Sequence, residues 1–245
     1  MRYPESKIKE AILHADEDIR RHAIDYFSAA FSSDTSVMPL VIRAVEIFDK
    51  NRAYVLLNAA RNLPQSPETI AWLINELNDE SCPRYENYAY SLSMQLQQAD
   101  IPLLQARESE VLNAKYFRSE SRQDLIERLE IFTWDMATCW RNLEDLCELY
   151  KDKEYISEFK FDYATRIVEG LGRFGQDCEE KVLELLRLEI EDVSHHQMGW
   201  LEPLAVRLAG RLRLESAIPL IIKKLHEDGD VLCQEMSKTQ HPTHR

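Results

Sequence analysis

The feature that most constrains this chain is a short motif that occurs near both of its ends. Residues 216–225 read Ser-Ala-Ile-Pro-Leu-Ile-Ile-Lys-Lys-Leu, and residues 36–45 read Ser-Val-Met-Pro-Leu-Val-Ile-Arg-Ala-Val. A fragment of the motif, Ile-Pro-Leu-Leu, occupies residues 101–104. Proline is tolerated at the start of a helix, because its missing N–H would have no intrahelical partner there. A helix start that recurs along a chain predicts stacked copies of one small helical unit.

The composition favours an all-α fold and disfavours nucleic-acid binding. Of the 245 residues, 44% are hydrophobic and only 6 are glycine and 9 are proline, while good helix formers are abundant. The formal net charge is −13, whereas nucleic-acid binding normally needs a basic surface. An acidic surface can instead steer a basic protein partner toward the chain.

The cysteines and the hydrophobic runs predict a cytoplasmic protein that does not enter a membrane. The five cysteines are odd in number and no two have Cys-x-x-Cys spacing, which is typical of reduced thiols in a core. The N-terminal residues lack the apolar segment of a secretory signal. No run of about 18 apolar residues is present, so no membrane span is expected.

Residues 4–31 read as a helix, a tight turn and a second helix. Ile8, Ala11 and Ile12 form the apolar stripe of the first helix. Either Asp16 or Asp18 can cap the second helix, whose positive end also suits acidic side chains. An apolar stripe at helical spacing then continues to residue 31.

The stretch Asp18-Ile19-Arg20, with Ala23 three residues later, resembles the turn and second helix of a HEAT repeat, including the HEAT-like repeats of phycobilisome lyase-type proteins. The proline motifs are similar to the first helix of such a repeat. In that family the motif's aspartate and arginine tie neighbouring repeats together, which would give this role to Asp18 and Arg20. A second similar unit, residues 201–236, departs from the pattern because Leu232 replaces the arginine.

The resemblance implies one HEAT-like domain over residues 1–245, a right-handed α-solenoid of about six to seven antiparallel helix pairs. Regular repeats are expected near 4–100 and 194–236, separated by irregular, longer helices over 119–192. Long apolar patterns over about 120–150 and 155–173 predict two extended helices there. This segment holds 20 acidic and 10 basic residues, most of the chain's acidic excess.

Two motifs for bound groups have more ordinary interpretations. Gly170-Leu-Gly172-Arg-Phe-Gly175 matches the dinucleotide fingerprint, but a helical pattern precedes it where that fold needs a strand, so it predicts a helix end with Gly175 left-handed. His226-Glu227 is similar to the pairs that bind iron in HEAT-like hydroxylases. A metal site needs three or four convergent ligands, and His195-His196 point about 100° apart on a helix. We therefore expect no cofactor and no metal.

These patterns favour a non-enzymatic scaffold that binds a protein or peptide along the concave surface of the solenoid. The acidic segment favours a basic partner. An enzyme or enzyme accessory on the same scaffold, similar to a bilin lyase or a DNA glycosylase, remains the alternative. A third hypothesis is oligomerisation through the C-terminal end, residues 229–245. The residues expected to line the binding surface are Arg20, Arg52, Asn58, Arg61, Arg207 and Arg211.

Overall fold

The computed structural model describes residues 4–48, 52–82, 86–151, 153, 156–188 and 196–227. Over these ranges the chain forms fourteen α-helices and no strand, which confirms the all-α class. The chain divides into two compact units, residues 1–129 (unit 1) and residues 130–245 (unit 2). Within the described ranges, none of the helices combines the length and apolarity that a membrane crossing requires.

Unit 1 contains eight helices and most of a ninth within its described residues. They are α1 (Glu5–Ala11), α2 (Glu17–Ala29), α3 (Val37–Ile47), α4 (Ala53–Ala59), α5 (Pro67–Asn78), α6 (Glu86–Gln98), α7 (Ile101–Gln105), α8 (Glu108–Leu112) and α9 (Ser119–Ile131). The last of these begins in unit 1 and ends two residues past its boundary.

The helix starts follow the local signals in the sequence. Asp16 caps α2, and its carboxylate accepts hydrogen bonds from the N–H groups of Asp18 and Ile19. Ser66 and Thr69 form a reciprocal capping box at the start of α5. The motif prolines also lie in first turns: Pro39 is the third residue of α3, and Pro102 is the second of α7. The recurring helix start is therefore confirmed at these places.

Unit 1 is a succession of helix pairs. Helix α1 packs on α2, α3 on α4 and α5 on α6. Each pair also packs on the next, because α2 contacts α4 and α4 contacts α6, while α3 contacts α5 and α5 contacts α7. The faces between these helices are apolar, with side chains such as Ile24, Leu57, Leu73 and Leu92 fully buried. Every pair thus buries apolar surface that it could not bury alone.

Unit 2 is organised around one long helix. Its described helices are α10 (Met136–Leu149), α11 (Phe161–Gly172), α12 (Glu179–Arg187), α13 (His196–Leu212) and α14 (Ile218–Glu227). Helix α13 contacts α10, α11 and α12, and α12 also contacts α14. The predicted apolar stripe of α13, which includes Leu201, Leu204 and Leu208, is buried in this core.

The prediction of two extended helices in the acidic segment is wrong. The first pattern, 120–150, is broken into α9 and α10, because the N–H groups of Thr133 and Trp134 bond back to Glu130 and Ile131. Asp135 then caps α10 by accepting from the N–H of Thr138 at 2.7 Å. The second pattern, 155–173, becomes a short 3-10 helix at 156–158 followed by α11.

Some sequence predictions concern residues outside the described ranges. The second Asp-Gly-Asp turn at 228–230 and the C-terminal contact proposed for 229–245 are among them.

Candidate functional site

Arg20 is the best-fixed of the predicted binding residues. It is only 5% exposed, and its Nη1 donates to the carbonyl oxygens of His14 and Ala15 at 2.7 and 2.8 Å. Its guanidinium carbon lies 3.7 Å from the ring centroid of Phe48, the C-cap residue of α3. Arg20 therefore joins the turn before α2 to the next helix pair. Asp18, the other motif residue, instead bonds to Arg21 on its own helix at 3.3 Å.

Arg20 also lines a cleft of about 210 Å³, here called the Arg20 cleft. Its walls come from α2, α3 and α4, and its residues are Glu17, Arg20, Ala44, Val45, Phe48, Arg52, Ala53 and Leu56. Glu17 and Arg20 share one face of α2 because they are three residues apart. The cleft is smaller than the roughly 300–1,000 Å³ of typical small-molecule sites, so it fits one side chain or one chain end.

The charges at the cleft are arranged unequally. Arg52 is exposed and its Nη2 donates to Glu17 Oε1 at 2.7 Å, so this pair is satisfied at the surface. Arg20, in contrast, bonds only to neutral carbonyl groups and an aromatic face within the described residues, and its Nε has no hydrogen-bond partner. Its described lining residues therefore include two cations and one anion around an apolar wall.

The other predicted residues of unit 1 lie at or beyond the far end of α4. Asn58 is exposed and its Oδ1 accepts from Ser91 Oγ on α6 at 2.8 Å. Arg61 follows the end of α4, and its Nε lies 3.4 Å from the carbonyl oxygen of Asn58. The structure thus brings Arg20 and Arg52 together at the cleft, and places Asn58 and Arg61 together where α4 meets α6.

The two predicted residues of unit 2 both lie on α13. The guanidinium of Arg207 lies 5.4 Å from the ring centroid of Phe161, and that of Arg211 lies 3.6 Å from Glu169 on α11. These contacts connect α13 to α11. Arg207 and Arg211 form a group of their own within unit 2.

The glycine motif is a helix end. Gly172 closes α11, and a Cβ there would lie 2.7 Å from Arg211 Cδ, so a larger residue would displace the end of that flexible side chain. Gly175 has a φ of +58°, so its predicted left-handed conformation is confirmed, but α11 ends at Gly172 and not at Gly175 as predicted. Within the described residues, no cluster of three or more histidine, cysteine or acidic side chains has the geometry to hold a metal ion.

The described cysteines of unit 2 are core thiols. Burial raises the pKa of Cys147 to about 12 and raises the pKa values of Cys139 and Cys178 as well. A thiol with a raised pKa stays protonated near neutral pH, and only the thiolate is a good nucleophile. These side chains therefore suit packing rather than covalent catalysis.

Sequence reasoning missed a row of polar contacts, here called the α4 ladder, that links α2, α4 and α6. The N–H of Asn62 donates to Ser28 Oγ at 3.3 Å, and Gln95 Nε2 donates to the carbonyl oxygen of Leu57 at 2.7 Å. Gln65 Nε2 donates to Gln95 Oε1 at 2.8 Å, and both glutamines are buried. The available signal was polar residues set beside the apolar stripe of α6.

Comparison with known proteins adds no relative: no protein-family model, curated protein or solved structure matches the chain. The functional interpretation therefore depends on the residues of the chain itself.

Proposed function

We propose that the chain is a non-enzymatic scaffold that binds a protein or peptide along the exposed side of α2, α4 and α6. In this proposal unit 1 is a short right-handed α-solenoid of HEAT type, and these second helices line its concave side. The observation that carries the proposal is the packing order, in which α2 contacts α4 and α4 contacts α6, while α3 contacts α5 and α5 contacts α7. Such stacking produces extended binding surfaces in helical-repeat proteins.

The side chains available along α4 support this interpretation. Arg52, Asn58 and Arg61 are all exposed, and the first two are held by contacts to Glu17 and Ser91. A partly ordered arginine loses less side-chain freedom on binding than a free one, and arginine is among the residues that contribute most at interfaces. The α4 row therefore offers exposed side chains that a partner can contact, two of them already in contact with α2 or α6.

Unit 2 contributes mainly through its charge. The acidic excess of residues 119–192, most of which belong to unit 2, favours a partner with a basic segment, whose encounter would be electrostatically steered. Arg207 and Arg211 on α13 are the side chains of this unit that we propose to contact a partner, as the α4 row does in unit 1. The buried thiols with raised pKa values support a binding role over covalent catalysis.

The test is an affinity selection with the full chain. The immobilised protein selects from a synthetic library of random 12-residue peptides with free C-termini, and enriched peptides are identified by mass spectrometry and measured by fluorescence anisotropy. The triple variant Arg52→Ala, Asn58→Ala and Arg61→Ala is expected to lose about tenfold or more in affinity. Binding to basic peptides should also weaken as ionic strength rises.

The matched control removes two exposed positive charges of unit 1 from positions outside the α4 row. Lys7→Ala with Arg43→Ala serves this purpose, since both residues are exposed on α1 and α3. Its affinity is expected to stay within about twofold of the natural protein. Equal losses in both variants, or a failure to enrich any peptide, would contradict the scaffold function.

A further inference from the structure

The Arg20 cleft contains a buried cation that contacts no acidic side chain among the described residues. Arg20 is 5% exposed, and the two hydrogen bonds that it makes within the described residues both come from Nη1 and end on carbonyl oxygens. Its Nε is buried and has no partner there. Removing a charge from water is unfavourable unless an opposite charge or a full set of hydrogen bonds compensates it. An anion that enters the cleft would supply that compensation.

A second cation stands at the mouth of the cleft and can change partners. Arg52 is 66% exposed in its side chain, and its contact with Glu17 at 2.7 Å is an ion pair near the surface. Such pairs are weak because water competes for both charges. A carboxylate from a ligand can therefore replace or share Glu17 as the acceptor of Arg52, and arginine is well suited to carboxylates because its donors form a planar fork.

The remaining wall of the cleft is apolar and small. Val45, Leu56, Ala44 and Ala53 line it, and each is at most 3% exposed. The volume of about 210 Å³ admits one residue of a ligand and excludes a whole cofactor. A ligand that fits must carry a carboxylate and an aliphatic group close together, as the last residue of a peptide does.

We propose that the Arg20 cleft binds the C-terminal residue of a peptide, with its carboxylate between Arg20 and Arg52 and a small aliphatic side chain against Val45 and Leu56. This inference rests on the proposed peptide-binding function and names the part of the partner that is recognised. Capture of a terminal carboxylate is an established mode of peptide recognition. A free aliphatic acid and an acidic side chain share the chemistry, so the experiment separates them.

The first experiment titrates the isotope-labelled full chain with three small probes and follows its amide signals by NMR. The probes are N-acetyl-valine, its C-terminal amide, and N-acetyl-aspartic acid α-amide. N-acetyl-valine is expected to shift the signals of Val45, Phe48 and Ala53 saturably, with a dissociation constant on the order of 1–10 mM, because it is so small. The other two probes are expected to bind about tenfold more weakly.

Each contrary result of this titration overturns the proposal. Equal binding of the amide would mean that the cleft recognises only the aliphatic group. Equal binding of the aspartate probe would assign the cleft to acidic side chains. Absence of saturable shifts with N-acetyl-valine up to about 50 mM would exclude a carboxylate site of useful affinity.

Variants then test the named residues. Arg52→Gln is expected to weaken N-acetyl-valine binding about three- to tenfold, whereas the matched control Arg43→Gln, at an exposed residue of α3 outside the cleft lining, should change it less than twofold. Arg20→Lys keeps the charge but loses the fork, and a loss of about tenfold is expected. Because Arg20 is buried, that variant can fail to fold, so Ala53→Leu provides a second route by filling the cleft. Unchanged binding in both Arg52→Gln and Ala53→Leu would overturn the assignment.

A final comparison separates this inference from the scaffold function. Peptides enriched in the selection are made with free and with amidated C-termini, and free termini are expected to bind at least about tenfold more tightly. Equal binding of the two forms would overturn the cleft assignment and leave the scaffold intact. If no peptide is enriched while N-acetyl-valine binds, both the scaffold function and the assignment of the cleft to a peptide terminus are contradicted. The ligand of the cleft would then be a small free carboxylic acid.

Discussion

The two units of this chain hold their helices together by different means. In unit 1 the α4 ladder places buried polar side chains between α4 and α6, with Gln65, Gln95 and the Leu57 carbonyl joined by hydrogen bonds. In unit 2 the equivalent contact is aromatic. Trp200 of α13 stacks on Phe159 with ring centroids 4.5 Å apart and planes 3° from parallel, and its Nε1 donates to the carbonyl oxygen of Tyr150.

The two kinds of contact contribute differently to the stability of the packed helices and to the precision of their placement. Burial of an aromatic side chain contributes a large free energy that depends on area and shape. A hydrogen bond between buried amides contributes little net free energy to folding. A buried amide that loses its hydrogen-bond partner, however, destabilises the protein considerably. Unit 1 should therefore be more sensitive to the relative placement of its helices, and unit 2 to the volume of its side chains.

The largest expected effect comes from emptying the aromatic contact of unit 2. Trp200 is 8% exposed, so Trp200→Ala should destabilise the protein by about 3–5 kcal/mol. Urea unfolding of the full chain measures this loss of stability. Hydrogen exchange shows whether the loss is located in α11 and α13. The control is Trp72→Ala on α5 of unit 1, which is only partly buried and should cost clearly less. Equal losses of stability in the two variants would contradict the proposed difference between the units.

The next test breaks the α4 ladder with little change in volume. Gln95→Leu leaves the buried amide of Gln65 without its acceptor, while the Leu57 carbonyl keeps the N–H of Ala60 at 3.1 Å. A loss of about 1–3 kcal/mol is expected. The double variant Gln65→Leu with Gln95→Leu removes the stranded amide and should be more stable than Gln95→Leu alone. If the double variant is the less stable one, packing rather than pairing dominates unit 1.

The ends of α2 and α13 offer a comparison of the same motif in the two units. In unit 1 the N–H of Ser32 bonds to the Phe27 carbonyl, and in unit 2 the N–H of Leu214 bonds to the Ala209 carbonyl, the pattern of a Schellman cap. The left-handed residues are Phe31 and Arg213, with φ of +46° and +55°. Neither is glycine, so each cap stores backbone strain.

Replacing these residues by glycine should stabilise both units slightly. Phe31 is 70% exposed and loses little packing, so Phe31→Gly is expected to gain up to about 1 kcal/mol, and Arg213→Gly a similar amount. Gly175→Ala is the opposite control, because Gly175 is already left-handed and a Cβ there meets no atom within 4 Å. The midpoint temperature of thermal unfolding should rise for Phe31→Gly and Arg213→Gly and should fall for Gly175→Ala. A fall in stability for Phe31→Gly would show that the exposed ring contributes packing.

These caps also show what the sequence could predict. The starts of α2 and α5 and the left-handed conformation of Gly175 follow from Asp16, Ser66 and glycine itself, because such signals act on the neighbouring backbone. The left-handed residues Phe31 and Arg213 carry no such signal. The break between α9 and α10 was missed because apolar residues continue through it and only Asp135 marks the new start.

The candidate site was predictable to a similar extent. Arg20 and Arg52 could be chosen from the motif and from their positions beside a helix start. Phe48 and Glu17, which complete the Arg20 cleft, are defined by contacts between α2, α3 and α4, and no spacing rule connects residues of three helices. The α4 ladder was missed for the same reason, because its glutamines resemble surface residues until their partners are known.

The smallest expected effect concerns an ion pair that links α1 to the start of α3 in unit 1. Asp34 accepts hydrogen bonds from Lys9 and from the N–H and hydroxyl of Ser36, and these bonds lower its pKa to about 2. Because the pKa is lower in the folded protein than in the unfolded chain, the stabilisation is complete above about pH 4 and is lost as the pH falls through about 2. About a third of each side chain is exposed, so water screens the pair, and Asp34→Asn should cost less than about 1 kcal/mol at pH 7.

Urea unfolding at pH 7 and near pH 2.5 measures the difference in stability between the natural protein and Asp34→Asn, which should shrink at the lower pH. A double-mutant cycle with Lys9→Met isolates the contribution of the pair. A cost that stays constant across this range would mean that Asp34 acts through its bonds to Ser36 without regard to charge.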